Sequence, residues 1–398
     1  MPTSLLSKRM GKFSCSPTSA LQVRIAELKR QGKRIISLNV GEPDFDTPNY
    51  AKMGGIKAIV DGFTKYTPGN GILELREAIS AKMRTENGID CDASNVCIAT
   101  GAKQAVFSSL MVLCDEGDEV LIPVPCWVSY TEMTKLSGAT PVLVKCTKEF
   151  DLDLDAIKAA ITPRTRAIII CTPNNPTGRV YSESVLRELA ALAVEHDFFI
   201  ITDEIYEKLI YDGNTHFSVA SISKEVFDRT VTINGFSKAY AMTGWRLGYA
   251  VARKDIAKAI MSLQSQVTSS ACSVSQKAAL AAITGPQYDR DVMVEEFRKR
   301  KDYVYERVNS IPGMSCPEPQ GAFYVLCDVN AYLGKGYGEW RINNALDLCE
   351  YFLATQLISV VAGEAYNMPG KIRISYSVSM EDLKTAFDRM EAALALLA

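Results

Sequence analysis

The chain has 398 residues, of which 47% are hydrophobic, and this length exceeds what one hydrophobic core usually supports, so we expect two domains. Lys and Arg total 44 against 46 Asp and Glu, so the net charge is -2. A chain without excess positive charge is not expected to bind nucleic acid or an anionic membrane. The 11 cysteines are scattered without a Cys-x-x-Cys pair, which is typical of buried thiols in a reducing compartment and not of a disulfide framework or zinc site.

The N-terminal segment lacks the features of a secretory signal. Its first dozen residues carry Lys8, Arg9 and Lys12 without an apolar core or a small-residue cleavage pattern. No apolar run approaches the roughly 20 residues that a membrane helix needs. We therefore expect a cytoplasmic protein, with a first helix around Leu21 to Lys29.

From residue 95 to residue 251, short β-rich runs alternate with helical patterns such as Trp127 to Leu136. The predicted strands are Asn95 to Ala99, Glu119 to Ile122, Ala167 to Ile170, Phe198 to Ile201, Thr230 to Ile233 and Leu247 to Val251. Continuous apolar strands between helices predict an α/β fold, with a mostly parallel sheet covered on both faces. Ligands in such folds bind at the carboxyl ends of the strands.

The composition changes beyond Gly285-Pro286, where a long charged helix begins. It is followed by a predicted strand from Ala322 to Leu326, a helix near Leu346 to Leu353, a strand from Ile372 to Ser375 and a final helix. This pattern predicts a second, smaller α+β domain. We divide the chain into an N-terminal segment (1–48) that packs with the small domain, a large domain (49–285) and a small domain (286–398).

Three predicted strands end in polar or glycine-rich residues. Gly101-Ala102-Lys103-Gln104 opens a helix, where backbone N–H groups suit phosphate, although such strand-to-helix turns are common. Asn174 to Gly178 offers amide groups but has the composition of an ordinary turn. A buried Asp203 could keep a pyridine nitrogen protonated, or it could cap a helix.

The chain has only two histidines, His196 and His216, so we expect neither a histidine triad nor a metal centre. His196 ends an amphipathic run, and a helix C-terminus favours histidine electrostatically. Its predicted role is therefore structural.

The stretch from Ser237 to Gly248 has the composition of a site for an aldehyde cofactor that carries phosphate. Lys238 lies between small residues, and a lysine amine in a protected pocket loses its proton easily and condenses with aldehydes. Arg246 offers a planar fork of donors that matches phosphate oxygens, and Ser237 adds a hydroxyl. By itself the stretch also fits a basic, solvated loop.

Taken together and in this order, the motifs resemble those of the fold-type I pyridoxal phosphate enzymes, specifically the class I aminotransferases. The matching segments are Leu38 to Pro48, Lys65 to Pro68, Gly101 to Gln104, Trp127 to Tyr130, Asn174 to Gly178, Asp203 to Glu207, Ser237 to Gly248, Gly321 to Tyr324 and Ile372 to Tyr376. The resemblance extends from about Thr18 to the last helix. It is strongest to the Iβ branch, which contains bacterial-type aspartate aminotransferases and prephenate aminotransferases.

The resemblance implies pyridoxal 5′-phosphate as cofactor and assigns residues to its ring. Lys238 is the Schiff-base lysine and proton shuttle, and Asp203 is the partner of the pyridine nitrogen. Asn175 and Tyr206 bond the ring hydroxyl oxygen, and Trp127 stacks on the ring face. Lys238, Asp203 and Tyr206 are the predicted catalytic residues, and no metal is expected.

The resemblance also implies a homodimer with shared active sites. The phosphate is expected to contact Gly101, Ala102, Ser237 and Arg246, with Tyr66 reaching in from the other subunit.

The expected substrate contacts follow from the same resemblance. Arg373 clamps the α-carboxylate of the substrate, the backbone of Gly41 closes over it, and Trp127 and Asn175 also face it.

An acidic amino acid is the predicted substrate. Lys103 is the residue that the Iβ branch uses to read the distal carboxylate, and Thr18 matches a branch position near the same end. The implied reaction is a ping-pong transfer of the amino group of L-aspartate to 2-oxoglutarate, which gives oxaloacetate and L-glutamate.

Three alternatives stay open. Prephenate transamination to arogenate is associated with a lysine in the N-terminal segment, where this chain has Ser14. A β-lyase of the same fold would form pyruvate and ammonia without an oxo-acid acceptor. A non-catalytic ligand-sensing regulator would carry an N-terminal DNA-binding module, yet only some 20 residues precede the matching region and they contain no basic recognition helix.

Overall fold

The structure is a computed structural model that describes residue 11 and residues 18–398, with the side chains of residues 18–22 left out. Its helices are α1 (Thr18–Arg30), α2 (Asn49–Val60), α3 (Leu73–Asn87), α4 (Ala102–Leu113), α5 (Val128–Ser137), α6 (Leu154–Ala160), α7 (Glu183–Glu195), α8 (Lys224–Asp228), α9 (Lys254–Val267), α10 (Ser273–Thr284), α11 (Tyr288–Ser310), α12 (Ala345–Gln356) and α13 (Met380–Leu394). Its strands are β1 (Ile36–Ser37), β2 (Val96–Ala99), β3 (Glu119–Val124), β4 (Thr140–Lys145), β5 (Thr165–Cys171), β6 (Phe199–Asp203), β7 (Thr230–Gly235), β8 (Gly248–Val251), β9 (Tyr324–Asp328), β10 (Gly336–Tyr337), β11 (Trp340–Arg341), β12 (Ile358–Ser359), β13 (Val361–Ala362) and β14 (Lys371–Ser375).

A seven-stranded sheet in the order β2-β8-β7-β6-β5-β3-β4 organises the larger part of the chain. The five strands from β7 to β4 in this order run parallel, and β8 runs antiparallel to both of its neighbours. The inner strands are buried almost throughout, because helices cover both faces and leave no side for polar residues. The predicted mostly parallel sheet is therefore confirmed.

The eight strands predicted from the sequence lie within two residues of their observed ends, whereas β4 and the five two-residue strands β1, β10, β11, β12 and β13 are not predicted. β4 is an edge strand with mostly exposed or half-buried residues, and Pro141 lies within it. An edge strand needs no continuous apolar run, so the signal used for the inner strands is absent there. The predicted strand at Ala322 begins two residues later, at Tyr324, because Ala322 has a left-handed φ of 58°.

The C-terminal part contains a second sheet in the order β13-β14-β9, with antiparallel neighbours. The N-terminal segment joins it, because β1 pairs in parallel with β12, and Ile25 and Ile35 pack against Leu353. These contacts fit the predicted N-terminal segment, and the boundaries at residues 48 and 285 stay predictions. Within the described residues, no helix combines the length and apolarity needed to cross a membrane.

The sheet brings sequence-distant residues to one edge. In register, Cys171 at the end of β5 pairs with Asp203 at the end of β6, and Asp203 pairs with Ile233 of β7. Because all three strands run in the same direction, the loops that follow them lie side by side. The amino end of α4 lies at the same edge, since Gly248 of β8 packs against the backbone at Ala102.

Candidate active site

A cavity of about 780 Å³ lies at the carboxyl ends of these strands. Eleven of the residues predicted from the sequence line it, namely Gly41, Ala102, Lys103, Trp127, Asn175, Asp203, Tyr206, Ser237, Lys238, Arg246 and Arg373. They come from positions spread over more than 330 residues of the chain, and the fold brings them together.

Three predicted site residues are not among those that line the cavity. Gly101 lies directly beside it, next to Arg246. Tyr66 is 91% exposed in the isolated chain. The side chain of Thr18 and the segment from residue 14 to residue 17 lie outside the described residues, so the predictions made for them stay predictions.

Lys238 follows β7 and places its ammonium group in the cavity, where Nζ donates to the carbonyl oxygen of Gly41. The pKa of Lys238 is lowered to about 8, chiefly by burial, with Glu42 opposing the shift and nearby Arg373 adding to it. A lysine with such a pKa has a sizeable unprotonated fraction near neutral pH, which makes its amine a competent nucleophile and base.

Asp203 ends β6 and is 4% exposed. Its Oδ2 accepts a hydrogen bond of 2.7 Å from the Tyr130 hydroxyl, and its Oδ1 accepts one of 3.2 Å from the Ile205 N–H. Burial raises the pKa of Asp203 to about 6, although both hydrogen bonds favour the ionised form. The ionised form of Asp203 is therefore unfavourable in this site, and a nearby cation would stabilise it.

Replacing Asp203 with asparagine is expected to stabilise the apoprotein while removing this carboxylate. The folded-state pKa of about 6 lies above the unfolded value, so the folded state binds more protons and loses stability as pH rises between the two. The free energy of unfolding of Asp203→Asn should exceed that of the parent by about 3 kcal/mol at pH 8 and by roughly half of that at pH 5. Urea denaturation of both apoproteins at the two pH values measures the difference. Asp90→Asn, at an exposed position, should show no such pattern, and an equal result for the two substitutions would contradict the prediction.

A cradle for an anion lies at the start of α4. Gly101 has a φ of 87°, and a Cβ placed on it would lie 2.6 Å from Nη2 of Arg246, so only glycine lets the guanidinium come this close. The Arg246 Nη1 donates to the carbonyl of Thr243 at 3.0 Å, and no carboxylate pairs with this guanidinium among the described residues. Helix N–H groups and an arginine without an acidic partner suit a phosphate.

Arg373 of β14 is held on several sides. It is 5% exposed, and it donates to Asn175 Oδ1 at 3.1 Å and to the carbonyl of Asn39 at 2.8 Å. Its guanidinium lies 4.4 Å from the ring centre of Tyr324 and 5.3 Å from that of Tyr366. No carboxylate balances its charge among the described residues, and its Nε has no hydrogen-bond partner. The arrangement orients a permanent positive charge toward a ligand anion.

The model of the family "Aminotransferase class I and II" matches residues 33–390. The chain belongs to this family. The predicted relationship is thereby confirmed, together with the dependence on pyridoxal phosphate that characterises these enzymes.

Curated relatives and solved structures agree with this result. The aminotransferase is 43% identical, over 98% of its length and 82% of the relative's, to a bifunctional aspartate aminotransferase and glutamate/aspartate-prephenate aminotransferase of Petunia hybrida. It is 41% identical to an aspartate aminotransferase of Geobacillus stearothermophilus, with 97% and 98% of the two chains covered. The crystal structure of an aspartate aminotransferase from Rhizobium meliloti superposes with a TM-score of 0.95 at 39% identity, covering 99% of each chain.

The cavity of the aminotransferase fits pyridoxal phosphate in three chemical respects. The cradle of Gly101 and Arg246 suits the phosphate, the buried Asp203 suits a protonated ring nitrogen, and the Lys238 amine suits the aldehyde. Trp127, whose ring lies 4.8 Å from Nζ of Lys103, supplies an aromatic wall. The individual residue roles stay predictions.

Sequence reasoning missed several residues of the aminotransferase site. Tyr130 and Tyr324 lay within recognised motifs but received no role, whereas here they contact Asp203 and Tyr206 through their hydroxyl groups. Asn39 lines the cavity, and both of its side-chain amide atoms are buried without a hydrogen-bond partner. Asn39 also lies within a matching segment, and apart from this motif membership no local pattern distinguishes the three residues.

A buried polar network supports the turn after β6. Glu204 accepts from the Ser218 hydroxyl at 2.7 Å and pairs with His216 Nε2 at 2.8 Å, while Glu207 pairs with Lys82. Burial by itself lowers the pKa of His216, but the Glu204 carboxylate outweighs burial and raises it. The other histidine, His196, caps the end of α7 as predicted.

Proposed function

We propose that this aminotransferase transfers the amino group of L-aspartate to 2-oxoglutarate, giving oxaloacetate and L-glutamate in a ping-pong cycle. The observation that carries the proposal is the presence in one cavity of a proton-exchanging lysine, Lys238, and two cationic groups without carboxylate partners among the described residues, Arg373 and Lys103. Two cations on different elements of one cavity, Lys103 on α4 and Arg373 on β14, match in number the two carboxylates of a dicarboxylic amino acid. The relatives named above as aspartate aminotransferases support the same substrate.

The two cations have different surroundings, which supports different roles. Arg373 is rigidly held and offers two N–H groups in a fixed fork, so we assign it the α-carboxylate that every amino acid carries. Lys103 lies on the first turn of α4, where its ammonium group is partly enclosed by the cavity and lies over Trp127, and we assign it the distal carboxylate. Burial lowers the pKa of Lys103, as does the nearby Arg246, so a carboxylate partner would offset an existing electrostatic cost.

Lys238 performs the proton transfer in the proposed mechanism. Pyridoxal phosphate, when bound, supplies an aldehyde for the amino group and a ring that accepts electrons from the substrate's Cα. Lys238 takes the Cα proton with its Nζ and later returns a proton on the same side of the cavity. Asp203 would stabilise positive charge on the ring nitrogen, and Tyr206, whose hydroxyl is 2.9 Å from that of Tyr324, would donate to the ring oxygen.

Absorption spectroscopy of the purified holoenzyme tests the proposal. Addition of L-aspartate should remove the visible band of the bound aldehyde form, and subsequent addition of 2-oxoglutarate should restore it. An unchanged band with aspartate would refute the substrate assignment. Release of pyruvate and ammonia without an oxo-acid acceptor would show the β-lyase reaction instead.

Replacing Lys103 with methionine is expected to weaken selectivity for dicarboxylic substrates. Loss of a charge-assisted contact should raise KM for aspartate by about 10- to 100-fold while leaving KM for monocarboxylic amino acids nearly unchanged. Steady-state kinetics with aspartate and alanine measures the ratio. Lys33→Met, at an exposed position away from the cavity, is the matched control. Equal changes in KM for both substrates would remove Lys103 from the specificity site.

Prephenate is the second candidate substrate. The Petunia relative and a probable aspartate/prephenate aminotransferase of Rickettsia bellii, 42% identical over 98% of this chain, carry that activity in their names. Adding prephenate in place of 2-oxoglutarate to the aspartate-reduced enzyme ranks the two acceptors directly.

We also propose that the aminotransferase is a cytoplasmic homodimer with active sites completed by both chains. Support for the dimer comes from α2, which exposes the apolar side chains of Met53, Ile56, Ile59 and Val60 to solvent in the isolated chain. Contiguous apolar surface of this kind marks an interaction site, and a second copy is the commonest partner. The exposed Tyr66 lies a few residues beyond α2, where it is available to a neighbouring subunit.

Replacing Ile59 with aspartate is expected to produce monomers with little activity, because a charge cannot be buried in an apolar interface without a partner. Analytical ultracentrifugation measures the mass, and Leu143→Asp on the exposed edge strand β4 is the control. A second measurement tests the shared site. Tyr66→Ala and Lys238→Ala chains, each deficient as homodimers, should regain activity when they are co-expressed, since a mixed dimer contains one intact site. Failure to regain activity, with mixed dimers present, would contradict the shared arrangement.

A further inference from the structure

Tyr130 lies in the first turn of α5 and contacts two of the residues that the proposed function places around the cofactor. Its hydroxyl donates to Asp203 Oδ2 at 2.7 Å. Its ring packs edge-on against Trp127, with ring centres 5.4 Å apart and planes at 89°. Tyr130 is 2% exposed, so its hydroxyl has no access to bulk water that would compete for this bond.

The Asp203 carboxylate is only partly satisfied by the described residues. One oxygen accepts from Tyr130 and the other from the backbone N–H of Ile205. An ionised carboxylate has about four lone-pair sites, so lone pairs remain for a third partner. The two existing donors sit on different oxygens and therefore fix the rotation of the carboxylate plane, which in turn sets the direction in which the remaining lone pairs point.

The charge on Asp203 depends on the groups packed around it. Burial has the largest effect and raises its pKa, and the neighbouring carboxylate of Glu204 acts in the same direction. The hydroxyl of Tyr130 has the largest opposing effect, ahead of Lys238 across the cavity. The thiol of Cys171, on the adjacent strand, also lies close enough to interact. Removing the Tyr130 hydroxyl would therefore favour the neutral, protonated form of Asp203.

We propose that Tyr130 is a positioning residue that orients the Asp203 carboxylate and the Trp127 ring together, so that the cofactor's ring nitrogen and ring face meet their partners in one geometry. The proposal rests on the proposed role of Asp203. A single side chain, Tyr130, then positions both the partner of the ring nitrogen, Asp203, and the aromatic ring that faces the cofactor, Trp127. The Tyr130 hydroxyl also keeps Asp203 ionised at pH values where burial alone would protonate it.

Tyr130→Phe tests the proposal, because it keeps the ring against Trp127 and removes only the hydroxyl. Titration of the apoprotein with pyridoxal phosphate, followed by protein fluorescence between pH 5.5 and pH 8.5, gives the dissociation constant at each pH. We expect Tyr130→Phe to bind about three- to tenfold more weakly near pH 6.5, with a smaller difference at pH 8.5, where Asp203 is ionised in both proteins. Curves that coincide, or that differ by the same factor at every pH, would overturn the proposal.

Tyr181→Phe is the matched control. Tyr181 is equally buried at 2% exposure but does not line the cavity. This substitution should change the melting temperature without moving the pH dependence of cofactor binding. A shift as large as that of Tyr130→Phe would overturn the proposal, since any buried hydroxyl would then have the same effect.

Asp203→Asn separates failure of this proposal from failure of the proposed function. If Asp203→Asn changes cofactor affinity and Tyr130→Phe does not, the role of Tyr130 is refuted while that of Asp203 stands. If Asp203→Asn binds the cofactor like the parent, both roles are refuted. In the supporting outcome, adding Tyr130→Phe to Asp203→Asn has little further effect on pH dependence, as expected for residues that act through one another.

Discussion

Lys238→Ala is expected to lower kcat by at least about 10²- to 10⁴-fold, the range that general base catalysis contributes. The loss should be at the upper end, because the same amine would also bond to the cofactor's aldehyde, and among the described residues no other lysine occupies this point of the cavity. Among the residues that line it, the second lysine, Lys103, lies at the start of α4 over Trp127. Steady-state kinetics with aspartate and 2-oxoglutarate measures the loss.

The control for this substitution is Lys258→Ala, at an exposed position on α9, which should leave kcat unchanged. Adding methylamine to Lys238→Ala should restore part of the rate if only the base is missing, because the cavity then has room for a small amine. Normal turnover by Lys238→Ala would show that a different group moves the proton.

Arg373→Leu is expected to lower kcat/KM for every amino-acid substrate by about two to three orders of magnitude. Truncating one member of a buried, hydrogen-bonded charge pair costs about 2–5 kcal/mol, and each 1.4 kcal/mol is a factor of ten. In contrast to the Lys103 substitution, the loss should be similar for aspartate and alanine, since both carry an α-carboxylate. Arg373→Lys should recover only part of the activity, because an ammonium group cannot reproduce the planar fork held between Tyr324 and Tyr366.

Binding of a dicarboxylic inhibitor supplies a measurement that does not depend on turnover. Succinate should bind more weakly to Arg373→Leu by a similar factor, and Arg389→Lys, at an exposed position of α13, should bind it normally. Unchanged affinity for succinate would place the α-carboxylate elsewhere.

The inner strands and the residues at their ends were predictable because their signals are local. A run such as Ala167 to Ile170 is apolar without alternation, and burial on both faces requires that composition. Lys238, Arg246 and Asp203 lie in short motifs whose residue types indicate their chemical roles without a structure. The position of those motifs at strand ends then follows from the connectivity of parallel sheets.

The remaining features depend on contacts between distant segments, which no local pattern records. The Tyr130 hydroxyl meets Asp203 across 73 positions of sequence, and the Arg373 guanidinium meets the Asn39 carbonyl across 334. The strand β4 was missed because its residues face solvent, where composition is weakly constrained. The predicted role of Tyr66 is in the site of a partner subunit, so a single folded chain cannot test it. The side chain of Thr18 lies outside the described residues, so its predicted role is not tested either.

The pairing of β1 with β12 has a consequence for how the protein is made. A ribosome adds about 5–20 residues per second, so residues 36–37 are synthesised roughly 15 to 65 s before their partners at residues 358–359. Once residue 251 has been added, within that interval, all strands of the large sheet have been synthesised, whereas the carbonyl of Asn39 still lacks the arginine that it will bind. The residues that this chain contributes to the phosphate end of the cavity are therefore all synthesised before Arg373, which its carboxylate end requires. Translation of residues 358–373 is therefore required before the new chain can bind the α-carboxylate of an amino acid at Arg373.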